Sequence, residues 1–222
     1  MESFDSLVSY AWFILGGAAA TLELTVLSCT LGLIVSLIAG LSLLSKKLLV
    51  RWAARTYIEL FRGTSLFVQL FAAYFVLPLA GIPLSPIQAG VLAIGLNGGA
   101  YGAEVVRAAI QAVGNDQREA TIALNLTRWQ AMRWIIFPQA VPLMLPTFGN
   151  LAIETMKATA IASLISVSEL TFQAQMVRTQ TGGTALPFIT ILITYLAIAS
   201  MMMALVRWLE RRLSRGLVSV RT

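Results

Sequence analysis

The 222-residue sequence contains no histidine and one cysteine, and only 12% of it is charged. The absence of histidine excludes a histidine general base, a histidine metal ligand and a Ser-His-Asp triad. A lone Cys29 excludes an intrachain disulfide framework and any CxxC metal site. No G-x-x-x-x-G-K-[ST] phosphate loop occurs, so the chain cannot cradle ATP in that way. The charged fraction is about half that of an average soluble domain. What fills the chain instead is apolar: 58% of residues are hydrophobic and mean hydropathy is +0.80. A soluble fold lacks the polar cover for that much apolar surface, so an all-α integral membrane protein is expected. The net charge of +6 is no nucleic-acid signature, because the basic residues fall between apolar runs.

Five apolar stretches, near 18–44, 63–79, 87–106, 140–165 and 186–206, are long enough to cross a ~30 Å core, which takes about 20 helical residues. Residues 4–15 are also apolar, and Gly16-Gly17 is expected to set off an interfacial segment from the first span. The start has no basic n-region and no A-x-A site, so a first transmembrane helix is expected there and not a removed signal. Segments 45–62, 107–139 and 207–222 hold 14 of the 16 Lys and Arg residues. The opposite segments hold Arg178 alone, and Lys157 lies inside the fourth span. That bias predicts five transmembrane helices with the N-terminus outside and the C-terminus inside. The whole chain, 1–222, reads as one transmembrane domain without an internal repeat. The outer segment 166–185 is polar enough to host a short helix and then a turn.

The inner loop 114–138 reads GNDQREATIALNLTRWQAMRWIIFP. Asp116 with Glu119, and Thr127 with Gln130, have capping-box spacing. Asn125 suits a left-handed helix end. Two short helices are therefore expected, about 117–124 and 128–136, bent at Asn125, with Pro138 ending the second or opening the next. Ile122, Leu126 and Trp129 would pack on the membrane domain, while Arg118, Arg128 and Arg133 stay in water or meet a partner. On the residues alone, this is equally a surface hairpin lying at lipid headgroups.

Within the spans, each charge costs roughly 2.5–3.5 kcal/mol and needs a reason. Glu154 and Lys157 lie one turn apart; they either neutralise each other, or Glu154 faces a solute pathway and meets a cationic group. Pro138, Pro142 and Pro146 recur every four residues just before them and free backbone carbonyls, which is tolerable against protein or a wet cavity. Glu59 with Arg62, and Glu104 with Arg107, are spaced for interfacial pairing. Gln69 and Asn97 are mid-span amides for which interhelical hydrogen bonding comes first and pathway contact second.

The inner loop resembles the EAA loop of permease subunits of bacterial ABC importers, with Glu119-Ala120-Thr121, then Asn125 at the usual glycine, then Ile135-Ile136-Phe137-Pro138. Glu59-Leu60-Phe61-Arg62-Gly63-Thr64-Ser65 and Ala100-Tyr101-Gly102-Ala103-Glu104 are similar to stretches of the polar amino-acid branch of that family. Trp129-Gln130, Pro146, Gly149-Asn150, Lys157 and the run from Glu169 to Gln175 match as well, so the resemblance covers about 55–175. Ala158 stands where the family has an acidic residue. The resemblance implies a type I importer permease fold with a cytoplasmic coupling helix pair, in a multi-pass chain of the bacterial cytoplasmic membrane. It implies two copies of a cytoplasmic ATP-binding subunit, which hold ATP and magnesium, a second permease subunit, identical or related, and an extracytoplasmic solute-binding protein contacting 166–185. This chain would bind no cofactor or metal and would be no enzyme. Glu119, Ala120, Asn125, Arg128, Ile135 and Pro138 would carry the coupling, Glu119 also serving as a cap. Glu154, Lys157, Gln69, Asn97 and Glu104 are the candidate pathway residues. The expected cargo is a polar amino acid or a similar zwitterion, such as a compatible solute like ectoine. The rival expectation is an ion-coupled secondary transporter; an intramembrane enzyme has too little chemistry available to it.

Overall fold

A computed structural model describes residues 2–214, and the side chains of 9–212 within them. Arg215 and Arg221, which entered the charge count, lie outside the described residues. The described chain is helical, without strands. Helix α1 spans Glu2–Leu43, α2 Leu48–Gly63, α3 Leu66–Ala80, α4 Pro86–Ala112, α5 Asn115–Ala123, α6 Arg128–Ile165, α7 Leu170–Thr181 and α8 Ala185–Ser214. Four of these, α1, α4, α6 and α8, are long and apolar enough to cross a membrane. A fifth crossing is available only if the pair α2 and α3, bent by 105°, counts as one span.

Two expectations about these elements are corrected. The first helix runs unbroken through Gly16 and Gly17, so no interfacial segment is set off there. The stretch 63–79 is not one straight span: the chain breaks at Thr64-Ser65, both in extended conformation. At about 1.5 Å per residue, α3 alone measures roughly 22 Å, short of a ~30 Å core. The basic segment 45–62 contains the amphipathic α2, which buries Ala54 and Ile58 and exposes Leu49 and Trp52.

Helix α4 is the centre of the fold. It buries Ala89, Ala93, Ile94, Ala100, Ala103, Val106 and Ile110 against its neighbours. Its N-terminus is closed by a capping box in which Ser85 Oγ accepts from Gln88 N (3.3 Å) and Gln88 Oε1 accepts from Ser85 N (2.9 Å). Small residues let α1 lie against it. A Cβ on Gly40 would come within 2.7 Å of the Ala103 carbonyl oxygen and of Val106 Cβ, and one on Gly102 within 2.9 Å of Ser36 Cβ. Ser36 Oγ then reaches across to donate to the Gly99 carbonyl (3.2 Å).

Two helices pass prolines by widening. Residues Ala72–Val76 and Ala131–Ile136 are π-helical, and Pro78 and Pro138 follow within two residues. The ring of a proline collides with the carbonyl four residues back in an α-helix, and a π turn moves that carbonyl aside.

Segment 166–185 folds as expected into a short helix, α7, ended by left-handed Gly182. It is not merely a solvated connector, because Leu170, Ala174 and Val177 are buried against Ile14, Met156 and Ile191. Glu169, fully buried, caps α7: Phe172 N donates to its Oε1 and Tyr195 Oη to its Oε2, each at 2.7 Å. Leu170 N donates to Thr21 Oγ1 (3.2 Å), which ties α7 to α1. Burial holds the Glu169 carboxyl above its ordinary value of 4.5, against the opposing pull of these hydrogen bonds. The folded state therefore keeps this proton to higher pH than the unfolded chain does. Its contribution to stability is complete below 4.5 and is lost as pH rises through the folded value. The thermal midpoint of the purified protein is expected to fall from mildly acidic to mildly alkaline buffer, and Glu169→Gln, whose Oε1 still accepts from Phe172 N while its Nε2 donates to Tyr195 Oη with the direction reversed, should flatten that fall. An unchanged slope in the variant would count against Glu169 as its source.

Candidate functional site

The loop after α4 forms a bent pair, but not two separate short helices. Helix α5 is capped by the backbone at Gly114 without a side-chain hydrogen bond. The expected Asp116–Glu119 box is thus absent: Asp116 sits inside the first turn, where it complements the helix dipole, and Glu119 projects from the exposed surface. The bend lies at Asn125, in left-handed conformation at φ 51°. The Thr127–Gln130 box forms as expected, Gln130 N donating to Thr127 Oγ1 (3.3 Å) and Thr127 N to Gln130 Oε1 (2.9 Å). The second member does not stop at 136. The π turn carries it past Pro138, so α6 is continuous from Arg128 to Ile165.

The side chains of this pair are turned differently from the expectation. Thr121 is buried and Leu126 half-buried, but Ile122 is 76% and Trp129 69% exposed, with Leu124 and Trp134 beside them. Arg118 does not stay in water: its Nη2 donates to the Ile110 carbonyl (2.8 Å), fastening α5 to the last turns of α4. Gln139 Nε2 donates to Gln117 Oε1 (3.1 Å), fastening α5 to α6. Glu119, Ala120, Arg128 and Pro138 are exposed around this apolar patch, and Ile135 is half-buried behind it. An uncovered apolar face rimmed by charge on a stiffly mounted element is the form of a docking surface.

Toward the middle of the molecule the sharp α2–α3 break leaves backbone groups to satisfy. Two amides serve them. Gln69 Nε2 donates to the Phe61 carbonyl (2.8 Å) and to Thr64 Oγ1 (2.7 Å). Asn97 Nδ2 donates to the same Phe61 carbonyl (3.0 Å) and to Gln69 Oε1 (3.1 Å). Asn97 also lines a cavity of about 260 Å³ with Glu154, Thr155, Tyr101 and Leu66. Gln69 is outside that lining. Glu154 is exposed and forms no ion pair with Lys157, which is exposed and outside the cavity lining. Their mutual neutralisation is thus not realised within the chain.

A second, more polar cavity of about 390 Å³ lies nearer α5, lined by Arg55, Glu59, Arg62, Tyr101 and Glu104. Glu104 pairs with Arg107 (2.7 Å), as its spacing suggested. Glu59 pairs with Arg55 (3.5 Å) and not with Arg62, whose guanidinium lies over the Tyr101 ring, 5.1 Å from its centroid. Sequence spacing alone did not identify Tyr101 as the residue shared by both cavities; its place one turn from both Asn97 and Glu104 on α4 is the signal that was available.

An all-helical domain with several apolar spans and an exposed apolar face on a firmly mounted helix pair fits a membrane component of a transport system. The chain belongs to the family of binding-protein-dependent transport system inner membrane components, which it matches over residues 32–215. It is 43% identical over 205 residues to a probable amino-acid ABC transporter permease of Sinorhizobium fredii, covering 90% of this chain and 86% of that one. It is 36% identical over 199 residues to the glutamine transport system permease GlnP of Escherichia coli, covering 89% and 91%. With the L-cystine transport system permease TcyB of Bacillus subtilis it shares 35% over 206 residues, covering 92% and 88%. A solved amino acid ABC transporter, crystallised with histidines, superposes with a TM-score of 0.87 at 38% identity over 94% of this chain and 98% of that one. The inward-facing methionine transporter MetNI shares the fold, at a TM-score of 0.79 and 18% identity over 92% and 97%.

The bend residue is the sharpest local requirement of the handle. Left-handed backbone costs most side chains roughly 1–2 kcal/mol, glycine nothing and asparagine little. Asn125→Gly is expected to leave the thermal midpoint of the purified protein nearly unchanged. Asn125→Val should lower it by an amount corresponding to at least ~1 kcal/mol; equal midpoints for the two variants would contradict the strained-bend account.

Proposed function

We propose that this chain carries a polar amino acid, or an amino-acid-like zwitterion, across the bacterial cytoplasmic membrane as the transmembrane subunit of an ATP-binding-cassette importer. An ectoine-type compatible solute falls within that chemical class. The observation that carries the reading is the α5–α6 handle, which leaves Ile122, Leu124 and Trp129 uncovered while fixing their helix to α4 and α6. An ion-coupled secondary transporter has no use for such a face.

In this reading the handle docks on a cytoplasmic ATP-binding subunit, the member of the assembly that holds ATP and magnesium and performs hydrolysis. Two such subunits serve a pair of permease subunits. A solute-binding protein delivers cargo to the opposite face, where the exposed end of α7 around Arg178 and Thr179 is the contact offered. The N-terminus is outside and the C-terminus inside, consistent with the basic bias of the inner segments.

The cavity holding Glu154 and Asn97 is the pathway. A carboxylate left without an internal partner in a spanning helix is stable only against water or an opposite charge. Glu154 meets the ammonium group of the solute, and the amide of Asn97, already committed to the α2–α3 bend, sets the wall opposite. Lys157 belongs to the outer surface of α6, where a second subunit is the partner available to it. Glu104 lies farther along α4, on the inner side of the same route.

Two substitutions test these assignments. Glu119→Lys should insert normally yet lower ATP-driven uptake in reconstituted vesicles roughly tenfold or more, because a reversed charge at a docking rim is strongly disfavoured; ordinary accumulation by that variant would refute the docking role. Glu154→Gln should assemble with the ATP-binding subunit as the parent does, while the solute concentration for half-maximal uptake rises roughly tenfold or more through loss of a charge-assisted contact. Unaltered kinetics and solute preference would remove Glu154 from the pathway.

A further inference from the structure

Three residues on one side of α4, Asn97, Tyr101 and Glu104, trace a line from the middle of the membrane domain toward the handle, and Ile110 follows on the opposite, buried face. Asn97 lines the Glu154 cavity, Tyr101 lines both cavities, Glu104 lines the polar one, and Ile110 is where Arg118 of α5 attaches. Tyr101 is the one side chain common to the two spaces, and it is 41% exposed between them. A partly exposed aromatic ring at that point borders two volumes of about 260 and 390 Å³, each of the size of a small solute.

The ring is held by a cation. Arg62 has no carboxylate within 4 Å among the described residues, whereas the other charges of the polar cavity are satisfied: Arg55 by Glu59, and Glu104 by Arg107. The scaffold beneath the pair is rigid. Tyr57 Oη donates to the Leu96 carbonyl (2.6 Å), and Asn97 Nδ2 to the Phe61 carbonyl (3.0 Å), so α2 and α4 are joined on the side of Arg62 away from α5. Helix separation is therefore a costly way to part Arg62 from Tyr101. Rotation of the two side chains is the inexpensive one.

We propose that Tyr101, latched by Arg62, is a side-chain gate between the Glu154 cavity and the inner vestibule, and that a carboxylate on the solute is its key. A carboxylate arriving at Arg62 forms charge-assisted hydrogen bonds that outcompete the face of an aromatic ring. The guanidinium leaves the ring, the ring turns, and the solute passes to the polar cavity. A solute with an ammonium group for Glu154 and a carboxylate for Arg62 operates both ends of this passage, whereas an amine without a carboxylate lacks the key. The inference rests on the pathway reading given above.

The test uses the assembled importer in vesicles, on a Cys29→Ser background, with Ala158→Cys as a reporter in the Glu154 cavity. A membrane-impermeant cationic methanethiosulfonate is applied to the face that carries α5, and the rate of labelling is measured. Tyr101→Ala should raise that rate roughly tenfold, and Arg62→Ala should raise it in the same direction, in keeping with the strength of a cation–ring contact. Tyr101→Phe, which keeps the ring and its latch, should match the parent. Rates unchanged by both alanine variants, each checked for co-purification of the ATP-binding subunit, would overturn the gate. In the Tyr101→Ala variant, where the gate is already open, an excess mixture of the protein L-amino acids should slow labelling by occupying the Glu154 cavity. Absence of that protection counts against the cavity as pathway, and is separable from the gate result, which is read without solute.

Discussion

The structure depends on how closely α1 can approach α4. At Gly40 the Ala103 carbonyl and Val106 side chain of α4, and at Gly102 the Ser36 side chain of α1, occupy the space that a Cβ would need. Lipid tails are as apolar as leucine, so helices in a membrane are not driven together by burial from water. Close van der Waals contact and interhelical hydrogen bonds hold them, and small residues permit both. With α1 and α4 locked, with Ser36 bonded across the interface, α4 becomes a fixed rod. The amide network at the α2–α3 bend, the Glu154 cavity, the charged vestibule and the attachment of α5 are all placed relative to it.

The inner handle follows from the same economy. Arg118 could have remained solvated, but bonded to Ile110 it makes α5 an extension of α4. Gln117 meeting Gln139 makes it an extension of α6 as well. A push on the exposed face of α5 is thereby shared between the two helices that line the Glu154 cavity. This arrangement needs no hinge at the handle, and Asn125 with the Thr127–Gln130 box provides a defined corner in place of one.

Much of this was legible in the sequence, and the failures have physical causes. Hydropathy located the apolar stretches, and the chemistry of Asn125 and Thr127 located the corner, because both are local properties. Proline misled at Pro138: it was expected to end one helix or open the next, yet a π turn absorbs the ring and α6 continues. Span-length reasoning misled at 63–79, because an apolar run does not reveal a 105° break whose carbonyls are served by amides from elsewhere. The apolar residues of the handle were assigned inward by the usual burial rule, whereas Ile122 and Trp129 are exposed; the rule fails for a surface that another subunit covers, which is the role proposed for this one. Spacing by three suggested Glu59–Arg62, but Arg55 competes for that carboxylate and the Tyr101 ring for the guanidinium. The signal for the Ser85 cap, a serine three residues before glutamine with proline between, was present and passed over.

The central claim is that α5 moves as one body with the inner end of α4 when the ATP-binding subunits close. Pulsed spin-label distances between Ala120 on α5 and Ala108 on α4, both exposed, test this in the assembled importer through the nucleotide cycle. The account requires one narrow distribution that stays in place with and without ATP. A distribution that broadens, or that shifts by about one helical turn, roughly 5 Å, would show the handle sliding on α4 and would contradict it.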